Sequence, residues 1–256
     1  MIPSSKIPAS ITVYWLASQE ATSAQDIESR GLRLSESERQ RLDGMTKPER
    51  RKEFLLSRYL LRLAAQDVLS NHGLEVDDLS RISLSATRGE PPKLLQPSGV
   101  HIYLSLTHSG HAIAAAASMA PMAIDIEQPN AKRNFKRLAE HYFHPEELRQ
   151  LQCLSGEAAS EWFYRCWTAK EAVLKVNGRG LDLGKLNQIC LRADPDYAEL
   201  LTTTAVNPYL FALALPKAMP IDGLPEIKVT AVQGSQACLE PQQWPWQTWL
   251  ASGSLV

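Results

Sequence analysis

From residue 112 to residue 124 the chain carries its longest apolar stretch, interrupted at Ser118 and Pro121. A helix that crosses a bilayer needs about 20 apolar residues, so this stretch is too short to span one. It reads instead as two buried strands joined at a turn. Upstream, residues 11–17 (ITVYWLA) suit a strand, and residues 35–42 and 49–69 read as helices. In the second helix Phe54, Leu55, Tyr59, Leu61, Leu63 and Ala64 recur at roughly helical spacing. Residues 82–85 read as a short strand, 89–92 as a turn, and 100–106 as a strand that breaks at Thr107-His108-Ser109-Gly110. Downstream, helical patterns cover 135–143, 145–154 and 157–176, and strands return at 188–192, 209–215 and 227–232. The expectation is an α+β fold in two halves of similar size that meet near residues 120–130. The tail, with Pro241, Trp244, Pro245, Trp246 and Trp249, gives little periodic signal.

The length of 256 residues favours one large domain or two smaller ones, and 44% apolar with 21% charged residues excludes a disordered or collagen-like chain. Lys and Arg number 27 against 28 Asp and Glu, which argues against a nucleic-acid coat held by positive charge. The positive charge is local: residues 39–62 hold eight basic residues against Asp43, Glu49 and Glu53. Cys153, Cys166, Cys190 and Cys238 are scattered, without the paired spacing of a zinc or redox centre, and read as reduced thiols. The start, MIPSSKIPAS, lacks the features of a secretory signal, so a cytoplasmic protein without membrane association is expected.

Three segments can carry chemistry. In Ala123-Ile124-Asp125-Ile126-Glu127 the carboxylates alternate with isoleucines, so on a strand both face one way and can converge on a hard cation such as Mg²⁺. Two acids facing water on an amphipathic edge strand are the commoner source of such a pair. In Trp167-Thr168-Ala169-Lys170-Glu171-Ala172-Val173-Leu174-Lys175, Glu171 and Lys175 share a helix face. They are either a surface ion pair or a third carboxylate for the same cation with a lysine for a phosphate. Ser105-Leu106-Thr107-His108-Ser109-Gly110 places hydroxyls and an imidazole where phosphate oxygens could be held, or where a histidine has a structural role.

Together these blocks resemble the 4'-phosphopantetheinyl transferase superfamily, in its longer Sfp-like branch. The resemblance runs in order through the basic segment at 39–62, Gly89-x-Pro91, the Ser105 to Ser109 block, and the Asp125/Glu127 pair with Trp167-x-x-Lys170-Glu171-x-x-x-Lys175, covering about residues 35–192. It implies a pseudo-twofold fold: an N-terminal half at 1–122 for the phosphate contacts, a C-terminal half at 123–256 for the metal and catalytic residues, and the cleft between them. It implies a holo-[acyl-carrier-protein] synthase type of enzyme, which moves 4'-phosphopantetheine from coenzyme A to a serine of an apo acyl or peptidyl carrier protein and releases 3',5'-ADP. Such an enzyme serves fatty-acid, polyketide or nonribosomal-peptide synthesis.

By the same resemblance Asp125, Glu127 and Glu171 would hold Mg²⁺. Glu171 would take the serine proton, and Lys175 would stabilise the phosphates. Arg41, Arg88, Thr107 and His108 match positions that hold coenzyme A phosphates, Gly89 and Ser105 are further candidates for binding coenzyme A, and Lys170 is a weaker candidate for a phosphate contact. Lys132, Arg133, Lys136 and Arg137 form a second basic cluster, either a docking site for an acidic carrier helix or a solvated helix start. The chain departs from the family in Ala123 for Gly, in Ser105 for Asn, in Thr107 for Ser, and in Glu90, which stands where a basic residue commonly meets phosphate. The branch implies a monomer, and no nucleic-acid partner is expected. Competing readings are another Mg²⁺-dependent phosphoryl-transfer, nucleotidyl-transfer or phosphohydrolase enzyme, or a non-catalytic binder of coenzyme A or of a carrier protein.

Overall fold

The computed structural model describes residues 10–17, 32–176, 182–192, 200–206, 208–216, 226–233, 236–237 and 247–252. The elements in chain order are β1 (Ser10–Ala17), α1 (Glu36–Asp43), α2 (Pro48–Asn71), β2 (Ser83–Leu84), β3 (Leu94–Gln96), β4 (Tyr103–Ser109), β5 (Ala112–Ser118), β6 (Ala123–Glu127), α3 (Phe135–Tyr142), α4 (Pro145–Gln152), α5 (Gly156–Val176), β7 (Cys190–Arg192), β8 (Leu200–Val206), β9 (Tyr209–Ala214), β10 (Glu226–Gln233), β11 (Gln236–Ala237) and β12 (Gln247–Ser252). Helices and strands interleave, as an α+β chain should. The apolar stretch becomes β5 and the start of β6, with every residue of β5 buried.

The described chain divides into two compact units. One comprises Met1–Leu106, Ile113–Pro121 and Met219–Gln243, and the other Thr107–Ala112, Met122–Ala218 and Trp244–Val256. This division shares the boundary near residue 122 with the single cut at 1–122 and 123–256, but segments are exchanged across it. Residues 219–243 return to the first unit because β10 pairs in parallel with β1, from Ser10 opposite Glu226 to Trp15 opposite Ala231.

The first unit holds a sheet of order β11-β10-β1-β5-β4. Against it α2 buries Leu60, Leu61, Ala64, Ala65, Val68 and Leu69 among Tyr14, Leu16, Ile113 and Ala115. Pro48 opens α2 at a position whose N–H has no helical acceptor, and Leu74 N–H closes it on Leu69 O at 2.9 Å past Gly73 at φ +77°.

Much of the basic segment serves this unit internally. Arg62 is fully buried and pairs with the equally buried Glu38 at 2.6 Å, and it also donates to the carbonyls of Ile82, Arg58 and Arg33. Glu38 closes a capping box with Ser35 at the start of α1. Arg58 lies over the Phe54 ring and donates to Ser85 O, and burial lowers its pKa to about 10. Arg51 donates to Leu42 O and Met45 O. The local positive excess is therefore in good part a framework of arginines tying α1, α2 and the 82–86 segment together.

The second unit holds a sheet of order β6-β9-β8-β12-β7 with α5 packed on it. Ala159, Phe163, Tyr164, Ala169, Ala172 and Val173 of α5 meet Leu210, Ala212 and Ala214 of β9. Phe163 stacks on Phe143 at 5.1 Å and on Trp167 at 5.6 Å. Among the described residues no helix is long and apolar enough to cross a membrane.

Four strands carry weak sequence signals and emerge only in the fold. These are β3, β8, β11 and β12, the last of which pairs antiparallel with both β7 and β8. The tail residues Pro241, Trp244, Pro245 and Trp246, with Cys238, lie outside the described residues. A second correction concerns β4: it runs through Thr107-His108-Ser109 rather than ending at Leu106, and the turn comes at Gly110 with φ +58°. Ala123 sits in β6, and no described non-glycine residue has positive φ, so the usual glycine is not required there.

Removing one partner of a buried ion pair leaves an uncompensated charge in the core. Arg62→Met should lower the unfolding free energy in urea by about 3–5 kcal/mol, and adding Glu38→Leu to it should recover part of that loss.

Candidate active site

β6 builds the site. Its antiparallel partner β9 places Ala214, Ala212 and Leu210 opposite Ala123, Asp125 and Glu127. Those three β9 residues belong to the core beneath α5. By the two-residue period of a strand, Asp125 and Glu127 therefore face α5, while Ile124 and Ile126 face the other way. The helix presents Glu171 and Lys175, one turn apart, to the same place.

The three carboxylates converge, with one oxygen from each of Asp125, Glu127 and Glu171 lying within 4.8 Å of the others. Lys175 Nζ donates to Asp125 Oδ1 at 2.5 Å, with Ile124 O at 3.4 Å. Thr107 Oγ1 donates to the same Oδ1 at 2.8 Å. Asp125 Oδ2 is buried and has no hydrogen-bond partner among the described residues. Ser109 Oγ donates to Glu127 Oε2 at 2.8 Å, and Arg133, which lies over the Trp167 ring, approaches that oxygen to 3.8 Å.

Collecting carboxylates out of water raises their affinity for protons. Burial, and after it the charge of Asp125, push the Glu171 carboxyl up to about 8 against the pull of Lys175. Burial likewise raises Glu127, although Ser109 partly offsets the effect. A divalent cation would replace those protons. An unpartnered buried oxygen beside two carboxylates that burial drives toward protonation is the donor set a hard cation such as Mg²⁺ requires, so the residues fit it.

Two candidate phosphate contacts are committed elsewhere. Lys170 is fully buried, and its three N–H groups go to Glu147 Oε2 at 2.7 Å, Leu186 O at 2.7 Å and Ile189 O at 2.6 Å. No donor is left for a phosphate, so Lys170 is a core clamp. Glu147 serves three partners, because it also accepts the Leu191 N–H and closes the capping box of α4 on His144 N–H. Thr107 is the second: its hydroxyl is buried rather than exposed.

His108 and Ser109 share β4 with Thr107 in the second unit, and His108 is exposed. Arg41, Arg88, Gly89 and the buried Ser105 lie in the first unit. There Arg41 donates to Ala86 O at 3.3 Å, Arg88 is exposed, and Gly89 turns the chain at φ +82°. Glu90 is neutralised by Lys93 at 2.8 Å, so neither of those side chains stands as a bare charge.

A further group of potential ligands, His144, Glu146 and Cys190, is spent on itself. His144 Nδ1 accepts the Glu146 N–H at 3.3 Å as a helix cap, and the Cys190 thiol donates to Glu146 Oε2 at 3.1 Å. Cys153, Cys166 and Cys190 form no disulfide among the described residues.

Three clustered carboxylates beside a lysine suit phosphate chemistry, and comparison with known proteins narrows the class. A profile of the 4'-phosphopantetheinyl transferase superfamily matches residues 121–219, which include all three carboxylates and Lys175. The 4'-phosphopantetheinyl transferase HetI of Nostoc is 30% identical over 174 residues, 67% of this chain and 70% of HetI. The transferase Sfp of Bacillus subtilis is 26% identical over 154 residues, 59% of this chain and 68% of Sfp. A Synechocystis relative carrying the 4'-phosphopantetheinyl transferase name is 30% identical over 159 residues. The chain spans 61% of that relative and about a third of two Bacillus transferases, 38% and 34%. It belongs to the 4'-phosphopantetheinyl transferase superfamily.

The elevated Glu171 group has a signed consequence. Its carboxyl is raised from 4.5 to about 8 in the fold, so the folded protein retains a proton that the unfolded chain releases. The contribution is fully present below the lower value and is lost as pH rises through the upper one. Metal-free protein should therefore lose stability between these pH values in urea titrations, and Glu171→Gln should flatten that slope. Mg²⁺ binding below the upper value should be accompanied by proton release in calorimetry.

Proposed function

We propose that this chain transfers 4'-phosphopantetheine from coenzyme A to the serine hydroxyl of an apo acyl or peptidyl carrier protein. The observation that supports this most is the convergence of Asp125, Glu127 and Glu171 beside Lys175 within the segment matched to the superfamily. Asp125, Glu127 and Glu171 would hold Mg²⁺, which when bound supplies charge neutralisation and Lewis-acid polarisation at the pyrophosphate. Glu171 accepts the serine proton as the serine oxygen forms its bond to the phosphopantetheine phosphorus. The bond from that phosphorus to the bridging oxygen breaks, and 3',5'-ADP leaves with the electron pair. Lys175, held at Asp125 Oδ1, opposes the negative charge that develops on the phosphates.

Arg41, Arg88 and His108 are the remaining candidates for the other phosphates of coenzyme A. For the carrier protein, the surface beside the metal residues is suitable. Arg133, Asn134, Arg137, Leu138, His141 and Tyr142 line an open groove of about 400 Å³, offering both basic groups and apolar surface. Lys132 and Lys136 are exposed next to it. An acidic amphipathic helix is the partner such a groove suits. A monomeric state and a cytoplasmic location belong to the same proposal.

Mass spectrometry tests the reaction. Whole chain incubated with an apo carrier protein, coenzyme A and Mg²⁺ should add one phosphopantetheine to the carrier serine, with 3',5'-ADP as co-product. Phosphate or pyrophosphate release with the carrier unmodified would assign a phosphohydrolase or nucleotidyl transferase instead. Glu171→Gln should reduce the transfer rate by about 10²–10⁴-fold, and unchanged turnover in that variant would remove Glu171 from the chemistry.

A further inference from the structure

Thr107 and Ser109 lie two apart on β4, and Asp125 and Glu127 lie two apart on β6, so the pairs match rung for rung. Thr107 donates to Asp125 and Ser109 to Glu127, each at 2.8 Å. Each hydroxyl also accepts a backbone N–H, Thr107 from Ile126 of β6 at 3.2 Å and Ser109 from Gln128, the residue after β6, at 3.1 Å. β6 is the outer strand of its sheet, so hydroxyls here take the place of a ladder partner. With its lone pair fixed by an N–H, each hydroxyl has its single proton aimed at a carboxylate.

The consequence is clearest at Asp125. Oδ1 receives Thr107 and Lys175, while Oδ2 is buried and receives nothing from the described residues. An ionised oxygen left so is costly unless a cation meets it. Gly110 turns the chain beside Gln128 with a φ of +58°, a conformation that disfavours side chains.

We propose that Thr107 and Ser109 are positioning residues for the cation site, orienting Asp125 and Glu127 so that one oxygen of each is turned to the metal, and are not contacts to the phosphates of coenzyme A. The inference rests on the reading that Asp125, Glu127 and Glu171 hold Mg²⁺. The chemistry also separates the two roles for Thr107: a fully ionised phosphate oxygen needs a donor, and the only proton of that hydroxyl is already given to Asp125.

The test is calorimetric Mg²⁺ titration of the metal-free whole chain without coenzyme A, paired with coenzyme A titration in excess chelator. Thr107→Val and Ser109→Ala should each weaken Mg²⁺ binding by about tenfold or more, as loss of a partner to a metal ligand commonly does. Thr107→Ser should restore it to near wild type, and coenzyme A affinity in chelator should stay unchanged in all three. Unchanged Mg²⁺ affinity in Ser109→Ala and in a folded Thr107→Val overturns the proposal, as does a loss of coenzyme A affinity in chelator with Mg²⁺ binding intact. If Thr107→Val does not fold, Ser109→Ala decides alone. Asp125→Asn is the control. Should the wild type not bind Mg²⁺, or Asp125→Asn bind it equally well, the metal reading itself fails; should only the hydroxyl variants behave as wild type, the metal reading stands and the positioning role falls.

Discussion

The site depends on burying Asp125. A carboxylate that is nearly inaccessible on an outer strand should be neutral, unpaired and destabilising. Here its two oxygens are treated differently, and that asymmetry is what makes it useful. Oδ1 is saturated by Lys175 and Thr107. Oδ2 is left open beside Glu127 and Glu171, whose own burial raises their affinity for a positive partner. The helix, the strand and the Thr107 hydroxyl of β4 all converge on that one group.

A second buried carboxylate holds the helix that carries the chemistry. Glu147 binds Lys170, which is the residue before Glu171, and also binds the backbone at Leu191 and the cap of α4. The neighbouring lysines on α5 thus have opposite fates. Lys170 turns inward to a carboxylate and two carbonyls, and Lys175, five residues on, reaches the site. The aromatic stack of Phe143, Phe163 and Trp167 fills the same side of the helix. The first unit repeats the strategy with Glu38 and Arg62, a buried pair surrounded by backbone acceptors.

The parts legible in the sequence were those with local periodicity. The long helices α2 and α5 and the strands β1, β5, β6, β9 and β10 showed in apolar spacing, and the alternation of Asp125 and Glu127 with two isoleucines put both acids on one face. The α+β class followed from those elements. What the sequence hid were partners distant along the chain. Nothing near Lys170 announces that Glu147 neutralises it, because His144-Pro145-Glu146-Glu147 reads as an ordinary helix start and Glu147 does cap one. The roles of Thr107 and Ser109 were hidden for a related reason. A run of Thr, His, Ser and Gly reads as a strand end, whereas the hydroxyls extend β4 by meeting the outer edge of β6. The matching two-residue spacing of Thr107/Ser109 and Asp125/Glu127 was the available signal. β8 and β12 were obscured because their place is set by pairing with each other and with β9 and β7.

The claim on which the account turns is that Asp125, Glu127 and Glu171 share one cation. Crystals of the whole chain grown with Mn²⁺ in place of Mg²⁺, and with coenzyme A, would locate it by anomalous scattering. The account predicts a single strong peak at Asp125 Oδ2 and at one oxygen each of Glu127 and Glu171, lost in Asp125→Asn. A peak elsewhere, or none at these carboxylates with coenzyme A bound, would contradict it.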